Sequence, residues 1–152
     1  MEPELNVEQL IREYIPNVLH MSLATSEDGK PWICEVHFSF DDELNIYFRS
    51  RTTTRHAQEI AKNPRVAGNI VEQHGMTDKP RCVSFEGVAE LLSGTNENSV
   101  AYKVVSERHN LGSEILDEEK FPPFYKITVT DFYMFDGRES KPAQKYHLPW
   151  NN

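Results

Sequence analysis

The sequence is poor in cysteine, with Cys34 and Cys82 the only two and neither part of a CxxC pair. That excludes a disulfide framework, and both thiols are expected to stay reduced and packed. No apolar run approaches the roughly 20 residues needed to cross a bilayer. The opening Met1-Glu2-Pro3-Glu4 is acidic where a secretory signal would be basic, so a cytoplasmic protein without a membrane partner is expected. Positive charge is scarce as well: 16 Lys and Arg stand against 24 Asp and Glu, for a net charge of -8. Such a surface repels polyanions, which argues against nucleic acid as a partner and requires any phosphate to be gripped locally. Six histidines are present, but no HxxH, HxxxH or Cys/His spacing points to a metal, and no GxSxG marks a nucleophile.

What remains is a chain of 152 residues, enough for one domain with its own core and no sign of a linker or repeat. Asn6 is a candidate N-cap with Gln9 three residues on, and Val7, Leu10, Ile11, Tyr14 and Ile15 form one apolar stripe that Pro16 ends. Val18 to Thr25 predicts a strand entering a tight turn at Glu27-Asp28-Gly29. In the next strand Trp32, Cys34, Val36, Phe38 and Phe40 alternate with Ile33, Glu35, His37 and Ser39, so one set faces inward and the other faces solvent or a ligand. Leu44, Ile46 and Phe48 continue the pattern after an acidic turn. Ala57, Ile60 and Ala61 then fall at helical spacing until Asn63-Pro64 stops the helix.

Residues 66–71 predict a fourth strand, residues 72–80 a polar loop, and residues 81–92 a long fifth strand with Gly87 at a bulge or corner. A helix is expected over 95–110, followed by an acidic cluster from Glu114 to Glu119 read as a solvated helix end. Tyr125 to Val129 and Phe132 to Phe135 predict one further strand or a pair. The polar tail over 138–152, with Pro142 and Pro149, is expected to be mobile or ordered by a partner. Six or seven strands with short turns, alternating patterns and peripheral helices predict a mainly β fold, an antiparallel barrel rather than a βαβ sheet.

Chemistry concentrates in Arg49-Ser50-Arg51-Thr52-Thr53-Thr54-Arg55-His56, which holds three arginines, a histidine, four hydroxyls and no acid. The segment sits where a strand passes into a helix. Orphan N–H groups and the positive end of the helix dipole therefore point toward the same place as the side-chain donors. Guanidinium forks match phosphate oxygens, and the hydroxyls either cap the helix or bind an anion.

Leu23-Ala24-Thr25, Asp28-Gly29-Lys30-Pro31, residues 44–50, Thr54-Arg55-His56-Ala57, Asn63-Pro64-Arg65-Val66-Ala67 and Phe85-Glu86-Gly87-Val88-Ala89 occur in a telling order. Over about residues 15–92 that order resembles the FMN-binding split barrels of the pyridoxamine 5′-phosphate oxidase-like superfamily, and Thr54 to Gln58 looks like its small, poorly characterised members. The resemblance implies a six- to seven-stranded split barrel and a homodimer with FMN sites at the subunit interface. It places Arg49, Ser50, Thr54, Arg55 and His56 around the phosphate. Glu35, Val36 and His37 would flank the cofactor, and Gln73 would contact the ring. Trp150, an aromatic near the chain end, either packs on its own barrel or reaches across the dimer to cover a flavin edge. The implied activity is an FMN-dependent oxidoreductase passing electrons from a reduced nicotinamide nucleotide to a small organic acceptor, without a dedicated catalytic residue. A deazaflavin or haem is the alternative cofactor, with His37, His74 or His147 as axial ligand, and a non-catalytic storage or sensing module is the alternative role. Two departures from the family pattern stand out. His56 replaces a common Lys, and the C-terminus offers only Lys145 to Trp150 where the true oxidases carry a longer substrate-binding segment, which argues against pyridoxamine phosphate itself as substrate.

Overall fold

The computed structural model describes residues 5–112, 121–138 and 144–151. Helix α1 (Val7–Tyr14) begins as its sequence dictates, with the Asn6 side chain accepting from the Gln9 amide at 3.0 Å. It buries Ile11 and Tyr14, and the Tyr14 hydroxyl ties two strand ends by donating to Arg81 O and accepting from the Glu72 amide.

Strands β1 (His20–Glu27) and β2 (Lys30–Phe40) form a hairpin whose two turn residues, Asp28 and Gly29, have φ of 51° and 75°. These left-handed angles match the strand twist, which is why an Asp-Gly pair closes the hairpin. Strand β3 (Ile46–Arg49) pairs with the end of β2, helix α2 (Arg55–Lys62) follows, and β4 (Arg65–Val71) and β5 (Arg81–Leu91) come next. Helix α3 (Thr95–His109) ends at Asn110 in the left-handed conformation. Strand β6 (Phe124–Asp136) is one continuous element, long enough to serve two neighbours.

The sheet order is β3-β2-β1-β4-β5-β6-β7, and an additional β3–β6 pairing closes six strands into a barrel. The first part of β6 pairs with β3, while its second part pairs with β7 (Gln144–Pro149). The barrel is split at that point. β5 pairs with β6 through a bulge between Glu86 and Gly87, where a Cβ on Gly87 would lie 2.6 Å from Thr128 O.

The tail is therefore not loose. Tyr146, Leu148 and Trp150 pack against the core while Lys145, His147 and Pro149 alternate outward, a period of two hidden by the polar residues between them. The acidic cluster at 114–119 lies outside the described residues. Elsewhere each expected helix and strand is present within two residues of its sequence reading. No helix among the described residues is long and apolar enough to cross a membrane.

The main core fills the barrel with Leu23, Phe38, Phe48, Phe85, Ile127 and Phe132 among others. A second cluster of Tyr47, Leu92, Ala101, Val105 and Phe124 fixes α3 to the outside of β2 and β3. Arg108 locks that helix in place: its guanidinium donates to the carbonyls of Ile15, Pro16, Val18 and Phe38 and stacks on Phe38 and Phe40.

Candidate functional site

The basic segment is held between β3 and α2, and its side chains divide into three groups. Arg49 is engaged by the loop before β6: Nε donates to Pro122 O at 2.8 Å, and the guanidinium stacks over Phe121 and Phe124. Burial there disfavours its charge.

The second group is internal. Ser50, which is buried, lies 2.9 Å from the Thr54 hydroxyl and 2.7 Å from His56 Nε2. Burial lowers the affinity of His56 for a proton, and the Ser50 hydroxyl also donates to Arg51 O at 2.9 Å. Thr54 caps α2 by accepting from the Ala57 amide at 3.2 Å.

The third group faces out. Arg51, Thr52, Thr53 and Arg55 are exposed, and the amides of Arg55 and His56 have no partner within the described residues. Cations are unfavourable at the positive end of a helix, yet α2 has no acid in its first turn to offset Arg55. An external anion would remove that conflict. The Arg55 guanidinium carbon lies 4.0 Å from the Trp32 ring centroid, and its Nε donates to Glu59 Oε1 at 3.2 Å.

Glu35, Val36 and His37 lie on β2 beside this segment, with Glu35 and His37 on its outer face. Continuing the β2–β3 register one step past Phe38 and Phe48 brings His37 and Arg49 opposite each other. Glu35 is not aimed at the arginines, because Oε2 meets His20 Nδ1 at 2.7 Å and Oε1 accepts from Ser22 at 2.7 Å. His37 is flanked by two rings, His20 at 6.2 Å and His109 at 5.5 Å between centroids.

Gln73 is exposed in the loop after β4. Trp150 packs on its own chain, with its indole N–H donating to Glu43 O at 2.9 Å and its ring meeting Phe132 edge-on. A single chain thus gathers Ser50, Thr54, Arg55 and His56 at one helix start. Arg49, at the end of β3, is turned against the loop before β6, and Gln73 and Trp150 stand apart.

Sequence reading missed Trp32 and Glu59. Glu59 was legible as the i+4 partner of Arg55, whereas the Trp32 contact depends on how α2 folds back on the hairpin. One hollow of about 590 Å³ lies between α3 and the β2–β3 turn, and another of about 450 Å³ lies over Ala24 and Ala67 on the outer sheet face. Neither of these two is lined by a residue of the basic segment. Lys30 to His37 also has no strand partner on the side away from β1 among the described residues.

Residues 7–135 match the family described as pyridoxamine 5′-phosphate oxidase. A curated relative, UPF0306 protein plu4501 of Photorhabdus laumondii subsp. laumondii, is 27% identical over 90 residues, covering 59% of this chain and 63% of that protein. Among solved structures, the heme binding protein from Mycobacterium smegmatis has a TM-score of 0.79 at 18% identity, over 97% of this chain and 60% of the other. HutZ, the heme storage protein from Vibrio cholerae, has a TM-score of 0.61 at 20% identity, over 81% of this chain and 89% of the other. At such identities these structures share the fold alone. This chain spans less than two thirds of the length of the curated relative and of the M. smegmatis protein.

Proposed function

This chain belongs to the pyridoxamine 5′-phosphate oxidase family, and from that premise we propose that it binds FMN and acts as an oxidoreductase. In this reading electrons pass from a reduced nicotinamide nucleotide to a small organic acceptor in the cytoplasm. The observation that carries the reading is the helix start at Arg55. Exposed guanidinium groups, hydroxyls and unpaired amides converge there against the dipole preference, in a protein of net charge -8.

The donor set fits a phosphate monoester, and the neighbouring β2 strand exposes Trp32 on one face and Ile33 on the other, by 41% and 62%. Bound FMN would supply the hydride and electron transfer. Arg51 and Arg55 would hold the phosphate, and buried Ser50 with half-buried His56 would keep the capping hydroxyl of Thr54 in place.

A homodimer accompanies this proposal. Arg51, Thr52, Thr53 and Arg55 are exposed, and the adjacent edge of β2 from Lys30 to His37 is unpaired among the described residues. A second copy laid along β2 would cover both features. The visible spectrum and native mass of freshly purified protein test the reading. One FMN per chain in a dimer is expected, and Arg55→Ala should weaken FMN binding by about 1–3 kcal/mol. Colourless protein with no affinity for added FMN would overturn it.

A specific observation favours haem as a second reading. Neither ring nitrogen of His37 has a hydrogen-bond partner among the described residues, whereas His147 Nε2 meets Asp131 at 2.8 Å and His74 Nδ1 lies 3.2 Å from Gly75 O. Exposed on the outer face, His37 is the imidazole best placed to ligate iron. Haem titration with His37→Ala as control tests this reading: lost haem binding in the variant supports His37 as the ligand, and unchanged haem affinity removes it.

A further inference from the structure

We infer that Trp32 is a positioning residue for Arg55: with Glu59 as second tether, it makes the guanidinium a fixed two-pronged receptor for a phosphomonoester terminus. The inference rests on the phosphate site proposed above and says which side chains set its strength.

Arg55 is placed against local preference. It stands at the first position of α2, where the dipole disfavours a cation, and its acid partner lies four residues toward the C-terminus, the poorer order for such a pair. The pair is also unlike a surface ion pair, since Glu59 is 3% exposed and its second oxygen, Oε2, is buried without a partner. Were Arg55 to swing away, a buried carboxylate would lose the guanidinium that faces it, which is strongly unfavourable. Nε is therefore pinned.

One face of the guanidinium is pinned as well, by the Trp32 ring at 4.0 Å. With Nε committed and that face covered, the edge carrying Nη1 and Nη2 remains, and it has no partner among the described residues. Two parallel N–H donors on a held plane match two phosphate oxygens. Arg51, Thr52 and Thr53 beside it are exposed and untethered, so they contribute charge and hydroxyls but no fixed geometry. Lysine could not replace Arg55, because an ammonium offers neither a plane to stack nor a fork.

The test is a double-mutant cycle on the full chain, titrated with FMN and with riboflavin and followed by flavin fluorescence. Trp32→Leu is expected to weaken FMN about tenfold and leave riboflavin unchanged, because only FMN carries the phosphate. In an Arg55→Ala background the same change should cost less than twofold, and Arg55→Lys should not restore the wild-type affinity. Trp32→Phe, which keeps a smaller ring, should fall between Trp32→Leu and wild type, and serves if Trp32→Leu fails to fold. Unchanged FMN affinity in Trp32→Leu, or equal weakening of FMN and riboflavin, would overturn the inference while leaving the flavin reading intact. If the wild-type protein binds no FMN, inorganic phosphate is the probe, with the Arg55 Nε–H signal followed by NMR. A phosphate-dependent shift that vanishes in Trp32→Leu upholds the receptor without the flavin, and no shift in the wild type overturns it.

Discussion

Gly68 should be intolerant of even one added methyl group. It stands on the inner face of β4, with Leu23 opposite on β1 and Phe85 opposite on β5. A Cβ built on it would lie 2.1 Å from Phe85 Cζ and 2.4 Å from Cε1, so the ring occupies the space where a side chain would be. Relief requires the ring to move by more than 1 Å, roughly the gap between that contact and ordinary van der Waals separation. Phe85 is 1% exposed inside a filled core and has nowhere to go without displacing neighbours. Overpacking of this kind costs about 1–3 kcal/mol, and the severity of the overlap puts Gly68→Ala at the upper end. For a chain of this length that corresponds to a fall in Tm of roughly 6–12 °C. Urea denaturation should show the loss in the midpoint. Combining Gly68→Ala with Phe85→Leu, which vacates the ring volume, should cost less than the sum of the single changes. Wild-type stability for Gly68→Ala, or strict additivity in the double variant, would refute the claim that the ring fills the glycine's place.

Two further outcomes concern the basic segment. Burial holds the His56 pKa below its ordinary value of 6.5, so the unfolded chain takes up a proton that the folded chain resists. That contribution to stability is present above about pH 6.5 and is lost as the pH falls below it; thermal melts should decline less steeply with acid in His56→Gln, the remainder reflecting His109, which is depressed the same way. Arg49→Ala should act on stability, losing the bond to Pro122 O and the stacking on Phe121 and Phe124 at a cost of about 1–3 kcal/mol. A larger loss in FMN affinity than in stability would show instead that Arg49 reaches the phosphate.

Much of the barrel was legible because its signals are local. The alternation from Trp32 to Phe40, the Asp28-Gly29 turn, the Asn6 and Thr54 caps and the stop at Asn63-Pro64 each act within a few residues, and each is found where its chemistry requires. The tail escaped because β7 is specified by its neighbour. Tyr146, Leu148 and Trp150 gain their burial only where β6 extends beyond β3 and offers a free edge, and nothing between 138 and 152 announces that edge.

The same distinction governs the candidate site. Composition alone marks residues 49–56 as a candidate anion-binding segment, but it cannot say which arginine faces outward, because that depends on groups distant in sequence. Arg49 is drawn to a carbonyl and aromatic rings at 121–124, more than seventy residues on, whereas Arg55 is held by a hairpin tryptophan and a carboxylate one turn along its own helix. Two like charges six residues apart thus have opposite tasks: one is desolvated against the fold, and the other keeps its donors turned outward. On the proposed reading, the tethers rather than the charges single out Arg55 as the guanidinium that would receive a ligand. That proposed role would be the same whether the phosphate belonged to a flavin or to another small molecule.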